Sequence, residues 1–210
     1  MARRGYFLSL DGLDGTGKST QLKLLAQWLT KEGYTVTTCV DPGGTELGQR
    51  LREILLYGRE TTMNARTEAL LFMASRSELV QQVIRPALER GEVVLSDRYL
   101  LANVVYQGHA GGIPPDEIWK QSLFPTQGLY PDHVLVLDAP VPLLASRRAH
   151  RPDRIETRGE EYFERVRNGY RAEVLRDPAQ HTLVDATGTV AEVHMAIVQA
   201  ISARLPHVLG

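Results

Sequence analysis

The segment Gly12-Leu13-Asp14-Gly15-Thr16-Gly17-Lys18-Ser19 constrains this chain more than any other. It fits the pattern G-x-x-x-x-G-K-[ST] and stands between an apolar run, Tyr6 to Leu10, and a helical pattern, Lys18 to Thr30. Its glycines let the backbone turn so that successive N–H groups point inward at phosphate oxygens. The helix that follows adds the positive end of its dipole. In such a loop Lys18 is placed to reach the β- and γ-phosphates, and the Ser19 hydroxyl to ligate Mg²⁺. The loop by itself speaks for nucleoside-triphosphate binding. It does not separate enzymes of different classes, or enzymes from binding modules without turnover.

Around the loop, short apolar runs alternate with helical patterns. Leu22, Leu25, Ala26 and Leu29 share one face of the first helix, and Gly33 is placed to end it. Thr35 to Val40 is a β-branched run. Helical segments are expected at Leu47 to Leu56 and Arg66 to Arg90, the second perturbed by Pro86 and stopped at Gly91. Further strands are expected at Val93 to Ser96, Val134 to Leu137 and Thr182 to Val184. These runs are continuous rather than alternating, as in strands covered on both faces. The expectation is an α/β fold: a five-stranded parallel sheet flanked by helices on both faces, with right-handed crossovers. Ligands of such sheets gather beyond the carboxyl ends of the strands.

Composition narrows the function from the other side. The formal net charge is -1, so no global basic field points to nucleic acid, and anionic ligands must be held by local cations. Cys39 is the single cysteine, so no intramolecular disulfide forms. No secretory signal pattern is read near the N-terminus, and no apolar stretch reaches the about 20 residues of a membrane span. A single cytoplasmic domain over residues 1–210, without membrane partners, is expected.

The strand ends hold the candidate chemistry. Asp97 and Arg98 follow the third strand, an acid suited to Mg²⁺ beside a guanidinium suited to phosphate. Asp41-Pro42-Gly43-Gly44-Thr45 follows the second as a tight turn. Asp138 follows the fourth and is expected to cap a helix. Arg147, Arg148, Arg151 and Arg154 crowd one segment, with Arg158 just after, and no carboxylate lies between Arg147 and Pro152. This segment, at about 147–160, is expected to be a lid that brings cations over a transferring phosphoryl group and excludes water. On the long helix, Phe72 and Arg76 share a face. Phe72 is of a kind that stacks on a base, but taken by itself it reads as core.

These pieces together resemble the bacterial thymidylate kinase family, of the P-loop nucleoside-monophosphate kinase fold. They occur in the family's order: Asp11 to Thr20, Pro42-Gly43-Gly44-Thr45, Leu71-Phe72 to Arg76, Ser96-Asp97-Arg98-Tyr99, Tyr106-Gln107-Gly108, Pro131-Asp132, Asp153-Arg154-Ile155-Glu156 and Asp185-Ala186-Thr187. The resemblance spans nearly the whole chain. It implies ATP-dependent phosphorylation of dTMP to dTDP, in dTTP biosynthesis, with Mg²⁺ and a homodimeric state. It implies that Gly12 to Thr20 hold ATP and that Thr187 borders adenine. On the acceptor side, Phe72 would stack on thymine and Arg76 would hydrogen-bond it, with Asn103 approaching the pyrimidine. Tyr106 would crowd a ribose 2′-OH, Gln107 would lie near base or sugar, and Pro42 would line the same site. Asp14 would bind the acceptor's 3′-OH or help organise Mg²⁺, and Arg98 would bridge the two phosphates. No arginine stands between Leu13 and Thr16, so the chain resembles the lid-arginine type. Arg147, Arg151 and Arg154 are its candidate catalytic arginines, beside Lys18, Arg98 and Asp14. Val40-Asp41 departs from the Arg-Glu common before Pro-Gly-Gly-Thr, so one positive contact near the acceptor is missing or supplied elsewhere.

Two rival readings remain at this level. A deoxynucleoside kinase would need a base to activate a neutral hydroxyl, and no clear candidate stands outside the metal-type acids. A nucleotide-binding module without turnover would keep the phosphate loop but would not need Arg98, the lid arginines or a base pocket.

Overall fold

A computed structural model describes residues 5–58, 62–147 and 154–205. The chain opens with β1 (Tyr6–Gly12), α1 (Lys18–Lys31), β2 (Val36–Val40), α2 (Glu46–Tyr57), α3 (Ala65–Leu79), α4 (Arg85–Glu89) and β3 (Val93–Asp97). It continues through α5 (Leu100–Asn103), α6 (Pro115–Gln121), α7 (Leu123–Thr126), β4 (His133–Asp138) and α8 (Val141–Arg147). It ends with α9 (Glu160–Arg176), β5 (His181–Asp185) and α10 (Val190–Ser202). The five strands form one parallel sheet in the order β2-β3-β1-β4-β5.

Strand alternation sends neighbouring side chains to opposite faces. Leu8, Leu10, Val93 and Leu95 bury against Leu22, Leu25 and Leu29 of α1 and Ile197 and Ile201 of α10. Phe7 and Val94 face the other way, onto Leu79, Val80, Ile84, Leu100 and Val104. Both faces are dry, which accounts for the continuous apolar runs. Helix starts follow local chemistry. The Thr45 hydroxyl accepts from Gly48 N–H at 3.0 Å, and Asn64 Oδ1 accepts from Thr67 N–H at 2.9 Å.

Two departures from regular helix bear on the site. The segment expected as one helix over Arg66 to Arg90 is interrupted by a π turn at Val80–Ile84, where Arg85 N–H donates to Val80 C=O. Pro86 offers no N–H and its ring crowds the preceding turn, so the helix widens just ahead of it. A second π turn, Val104–His109, follows α5 and carries Tyr106 and Gln107. Asp138 does not act as the expected cap. Its carboxylate accepts from Arg167 at 2.8 and 3.1 Å and from Arg171 at 2.6 Å, because the later helix α9 brings two cations to the strand end.

Candidate active site

A cleft of about 440 Å³ opens at the carboxyl ends of β1, β2 and β3. At one end lies the loop between β1 and α1. Gly12 has φ +131°, and a Cβ there would sit 2.3 Å from Leu137 C=O on the neighbouring strand. The close approach of β1 to β4 therefore excludes a side chain. Gly17 at φ 89° turns the chain into α1. Thr16 Oγ1 and Lys18 Nζ donate to Leu13 C=O at 2.7 and 2.9 Å, closing the loop on itself. Lys18 is buried and also reaches Asp14 Oδ1 at 3.3 Å. Burial, together with repulsion from Arg98, lowers the Lys18 pKa despite Asp14 and Asp97. Burial raises the Asp14 pKa, but Arg98 and Lys18 outweigh it and hold the carboxyl well below its ordinary range.

Ser19 Oγ donates to Asp97 Oδ2 at 2.9 Å, so a hydroxyl and a carboxylate stand together beside the phosphate loop. These are hard oxygen donors of the kind Mg²⁺ takes. Among the described residues no group of three or more His, Cys, Asp or Glu side chains is arranged to hold a metal. A divalent ion here would need phosphate oxygens and water to complete its shell.

Arg98 is the joint between the two ends of the cleft. Its backbone lies at φ 66°, a left-handed conformation that costs a non-glycine residue of order 1–3 kcal/mol and persists only where neighbours fix it. Here Arg98 N–H donates to Leu10 C=O at 2.9 Å, and its C=O accepts from Ser96 Oγ at 2.6 Å. The side chain donates to Asp14 at 2.7 Å and to Tyr170 Oη at 3.3 Å, and lies 5.0 Å over the Tyr106 ring. Tyr170 in turn donates to buried Asp11 at 3.4 Å, and Asp11 accepts from Ser9 Oγ at 2.5 Å. Asp97 and Arg98 are not an ion pair at the rim; they serve different partners.

The other end of the cleft is a buried polar chain. Arg76 donates to Asp41 Oδ2 at 2.6 Å and to Asn103 Oδ1 at 3.2 Å. Asn103 Nδ2 donates to Gln107 Oε1 at 2.7 Å, and Gln107 Nε2 donates to Glu68 Oε1 at 2.6 Å. Glu68 also pairs with Arg158. Phe72, only 9% exposed, is a core residue that also forms a wall of the cleft. Pro42, Arg76, Asn103, Tyr106 and Gln107 line the same space. Burial raises the Asp41 pKa against the pull of Arg76, and Asp41 Oδ1 has no hydrogen-bond partner.

The structure thus gathers Asp14, Lys18, Ser19, Thr20, Asp97 and Arg98 with the acceptor-side residues around one cleft. Gly12, Leu13 and Thr16 shape the loop from behind it. Thr187 is exposed on the turn after β5. Arg147 also lines the cleft, yet its guanidinium donates to Ala186 and Thr187 C=O at 2.9 and 3.1 Å. It is fastened to the turn after β5. Arg154 N–H donates to Leu56 C=O, and Arg154 is not among the residues lining the cleft. Arg151, with Arg148 and Asp153, lies outside the described residues. The sequence reading missed Arg52, which lines the cleft and donates to Pro42 C=O at 2.8 Å, a cation on the side where Val40 departs from the family pattern. It also missed Glu68, although Glu68 precedes Phe72 by one helical turn and shares its face. Tyr170 is far off in sequence and carries no local signal.

Comparison with known proteins agrees with this geometry. The family described as "Thymidylate kinase" matches residues 10–197. A thymidylate kinase of Rhodopirellula baltica is 42% identical over 90% of this chain and 77% of its own. One of Fervidobacterium nodosum is 39% identical over 95% of this chain and 100% of its own. A crystal structure of thymidylate kinase from Ehrlichia chaffeensis superposes with a TM-score of 0.76 at 25% identity, covering 95% of this chain and 99% of that one.

Proposed function

The chain belongs to the thymidylate kinase family, and we propose how its residues divide the work of that family's reaction, the transfer of the γ-phosphoryl of ATP to dTMP. The observation that carries the assignment is one cleft with the phosphate loop at one end and the Phe72–Arg76–Asn103 wall at the other, joined by Arg98. Gly12 to Thr20 hold the ATP phosphates on backbone N–H groups, and Lys18 spans the β- and γ-phosphates once ATP displaces its contact with Asp14. Arg98, already fixed between Asp14 and Tyr170, lies between donor and acceptor phosphates. Asp14 takes the acceptor's 3′-OH or steadies Mg²⁺.

The dTMP phosphate is the nucleophile. It is anionic near neutral pH, so no side chain need remove a proton. An acceptor phosphate oxygen bonds to the γ-phosphorus as the bond to the β-γ bridging oxygen breaks, and ADP leaves with that oxygen. The protein positions the two reactants and spreads positive charge over the transferred group. Ser19 and Asp97 would hold Mg²⁺, which would supply charge neutralisation for the phosphates. Phe72 stacks on the base, Arg76 and Asn103 meet its polar edge, and Tyr106 fills the space of a 2′-OH. Gln107 and Pro42 complete that wall. Thr187 borders adenine, where the hold of Arg147 on the same turn supports a part in shaping the adenine side. Arg151 and Arg154 are the lid candidates for the transferred phosphoryl.

The rest of the reading is one kinase domain over residues 1–210 with a lid at 147–160, working as a homodimer in the cytoplasm. Support for the dimer is a face of α2, α3 and α7 on which Leu47, Ile54, Leu70 and Phe124 are 49%, 46%, 59% and 92% exposed. Light scattering on the purified chain tests it. The activity is tested by ADP release with ATP and Mg²⁺, offering dTMP, dUMP, ribo-TMP, CMP, AMP and GMP in parallel. Strong preference for dTMP, lost in Lys18→Ala and Arg98→Ala, is expected. Turnover with another acceptor and none with dTMP would overturn the assignment.

A further inference from the structure

Four buried side chains, three lining the cleft and Glu68 behind it, are linked in one direction only. A guanidinium can only donate hydrogen bonds and a carboxylate can only accept them, whereas an amide does either according to which way it points. Arg76 at one end obliges Asn103 to turn its Oδ1 toward it, at 3.2 Å. Asn103 then faces Gln107 with its Nδ2, at 2.7 Å, so Gln107 must answer with Oε1. Its Nε2 is left for Glu68, at 2.6 Å. The carboxylate at the far end demands the same orientation that the guanidinium demands at the near end. Glu68, Arg76, Asn103 and Gln107 are all 2% exposed or less, so water cannot substitute for a wrongly turned amide.

Glu68 does not line the cleft, but it decides what the cleft offers. With both amides held this way, the wall keeps N–H groups over for a ligand: part of the Arg76 guanidinium and the second hydrogen of the Asn103 amide. Such a wall suits a pyrimidine edge bearing carbonyl oxygens and meets an exocyclic amino group with donor against donor.

We propose that Glu68 is a positioning residue for acceptor specificity, fixing through Gln107 and Asn103 the polarity by which the site prefers a carbonyl at pyrimidine C4 over an amino group. The proposal rests on the assignment of this wall to the acceptor base. Glu68 accepts from Gln107 on one oxygen and from Arg158 on the other. Glu68→Gln keeps size and shape but has one oxygen for these two donors. With that oxygen on Arg158 its amide nitrogen faces Gln107, and Gln107 and then Asn103 are driven to turn over. Asn103 Nδ2 would then face the Arg76 guanidinium, and a buried donor would go unpaired.

The test is kcat/KM for dTMP and for dCMP, with ATP saturating, in the wild type, in E68Q and in the swap E68Q/Q107E. The swap restores the polarity: the amide introduced on α3 donates to the carboxylate introduced on the π turn, which still accepts from Asn103. Melting temperatures are read alongside. E68Q is expected to lose about tenfold or more of the dTMP-over-dCMP preference, mainly through KM for dTMP, with KM for ATP unchanged. The swap is expected to recover selectivity to within about threefold of the wild type. A folded E68Q with wild-type selectivity would overturn the proposal, and so would a folded swap whose selectivity stays about tenfold or more below that of the wild type. If E68Q does not fold, the swap decides alone by the same criterion. A wild type that does not prefer dTMP to dCMP would instead defeat the base-site assignment itself.

Discussion

The two ends of the cleft are built by different means. In the proposed reading the donor end is one continuous stretch, Gly12 to Thr20, where backbone N–H donors set by loop geometry are joined by the side chains of Lys18 and Ser19. The acceptor end draws Asp41, Glu68, Phe72, Arg76, Asn103 and Gln107 from α3, α5 and the turns after β2 and α5, and its binding groups are side chains that hold one another. A cradle of backbone donors serves any triphosphate; a network of oriented side chains can discriminate one base from another. The difference predicts separable failures: damage at the acceptor end should cost stability and selectivity, and damage at the donor end should cost turnover.

The sharpest break is expected at Arg76. Arg76→Leu leaves Asp41 buried without its cation, which should destabilise the fold by about 3–5 kcal/mol. At roughly 2–4 °C per kcal/mol for a chain of this size, thermal unfolding should fall by about 10 °C. Making Asp41 apolar as well should recover much of the loss, because the uncompensated charge is then gone. Next is Gly12→Ala. A Cβ that would stand 2.3 Å from Leu137 C=O must push the loop aside, and turnover with dTMP should fall about 100-fold. Affinity for dTMP, measured by calorimetry, should stay within about threefold of the wild type.

Tyr170→Phe probes the joint between the two ends. It removes the hydroxyl that Arg98 donates to and that itself donates to Asp11. A loss of about tenfold in kcat with little change in either KM is expected from steady-state kinetics. The smallest effect concerns pH. The Asp14 carboxyl is held below its ordinary range, so the stability it contributes is present above about pH 4 and is lost as pH falls through the depressed native value. Asp11, raised by burial, gives the opposite slope. Urea unfolding at about pH 7 and about pH 3 should therefore show a smaller acid loss in Asp14→Asn than in the wild type.

The contrast also explains what is legible from sequence. The phosphate loop can be read because its pattern is local and its flanks have distinct periodicities. All five strands fall where the apolar runs stand, and the three inner ones, β1, β3 and β4, are packed on both faces. The π turn before Pro86 is not legible beyond a perturbation, because periodicity does not distinguish a widened turn from a regular one. Asp138 reads as a cap because the arginines that take it, Arg167 and Arg171, lie on a helix far later in the chain. The place of Arg98 at a strand end beside the phosphate loop is legible, but its contact with Tyr170 is not, since only the packing of α9 brings them together. Glu68 stands on the same helical face as Phe72; its role emerges only once Gln107 is seen folding back onto it.

The central claim, that phosphoryl transfer and acceptor recognition are separable in this cleft, is tested most directly by the dTMP affinity of Lys18→Ala without ATP, read by calorimetry beside its kcat. The account predicts a dissociation constant within about threefold of the wild type while kcat falls by about 1,000-fold or more. A parallel collapse of dTMP affinity, beyond about tenfold, would contradict it and make the two ends one indivisible site.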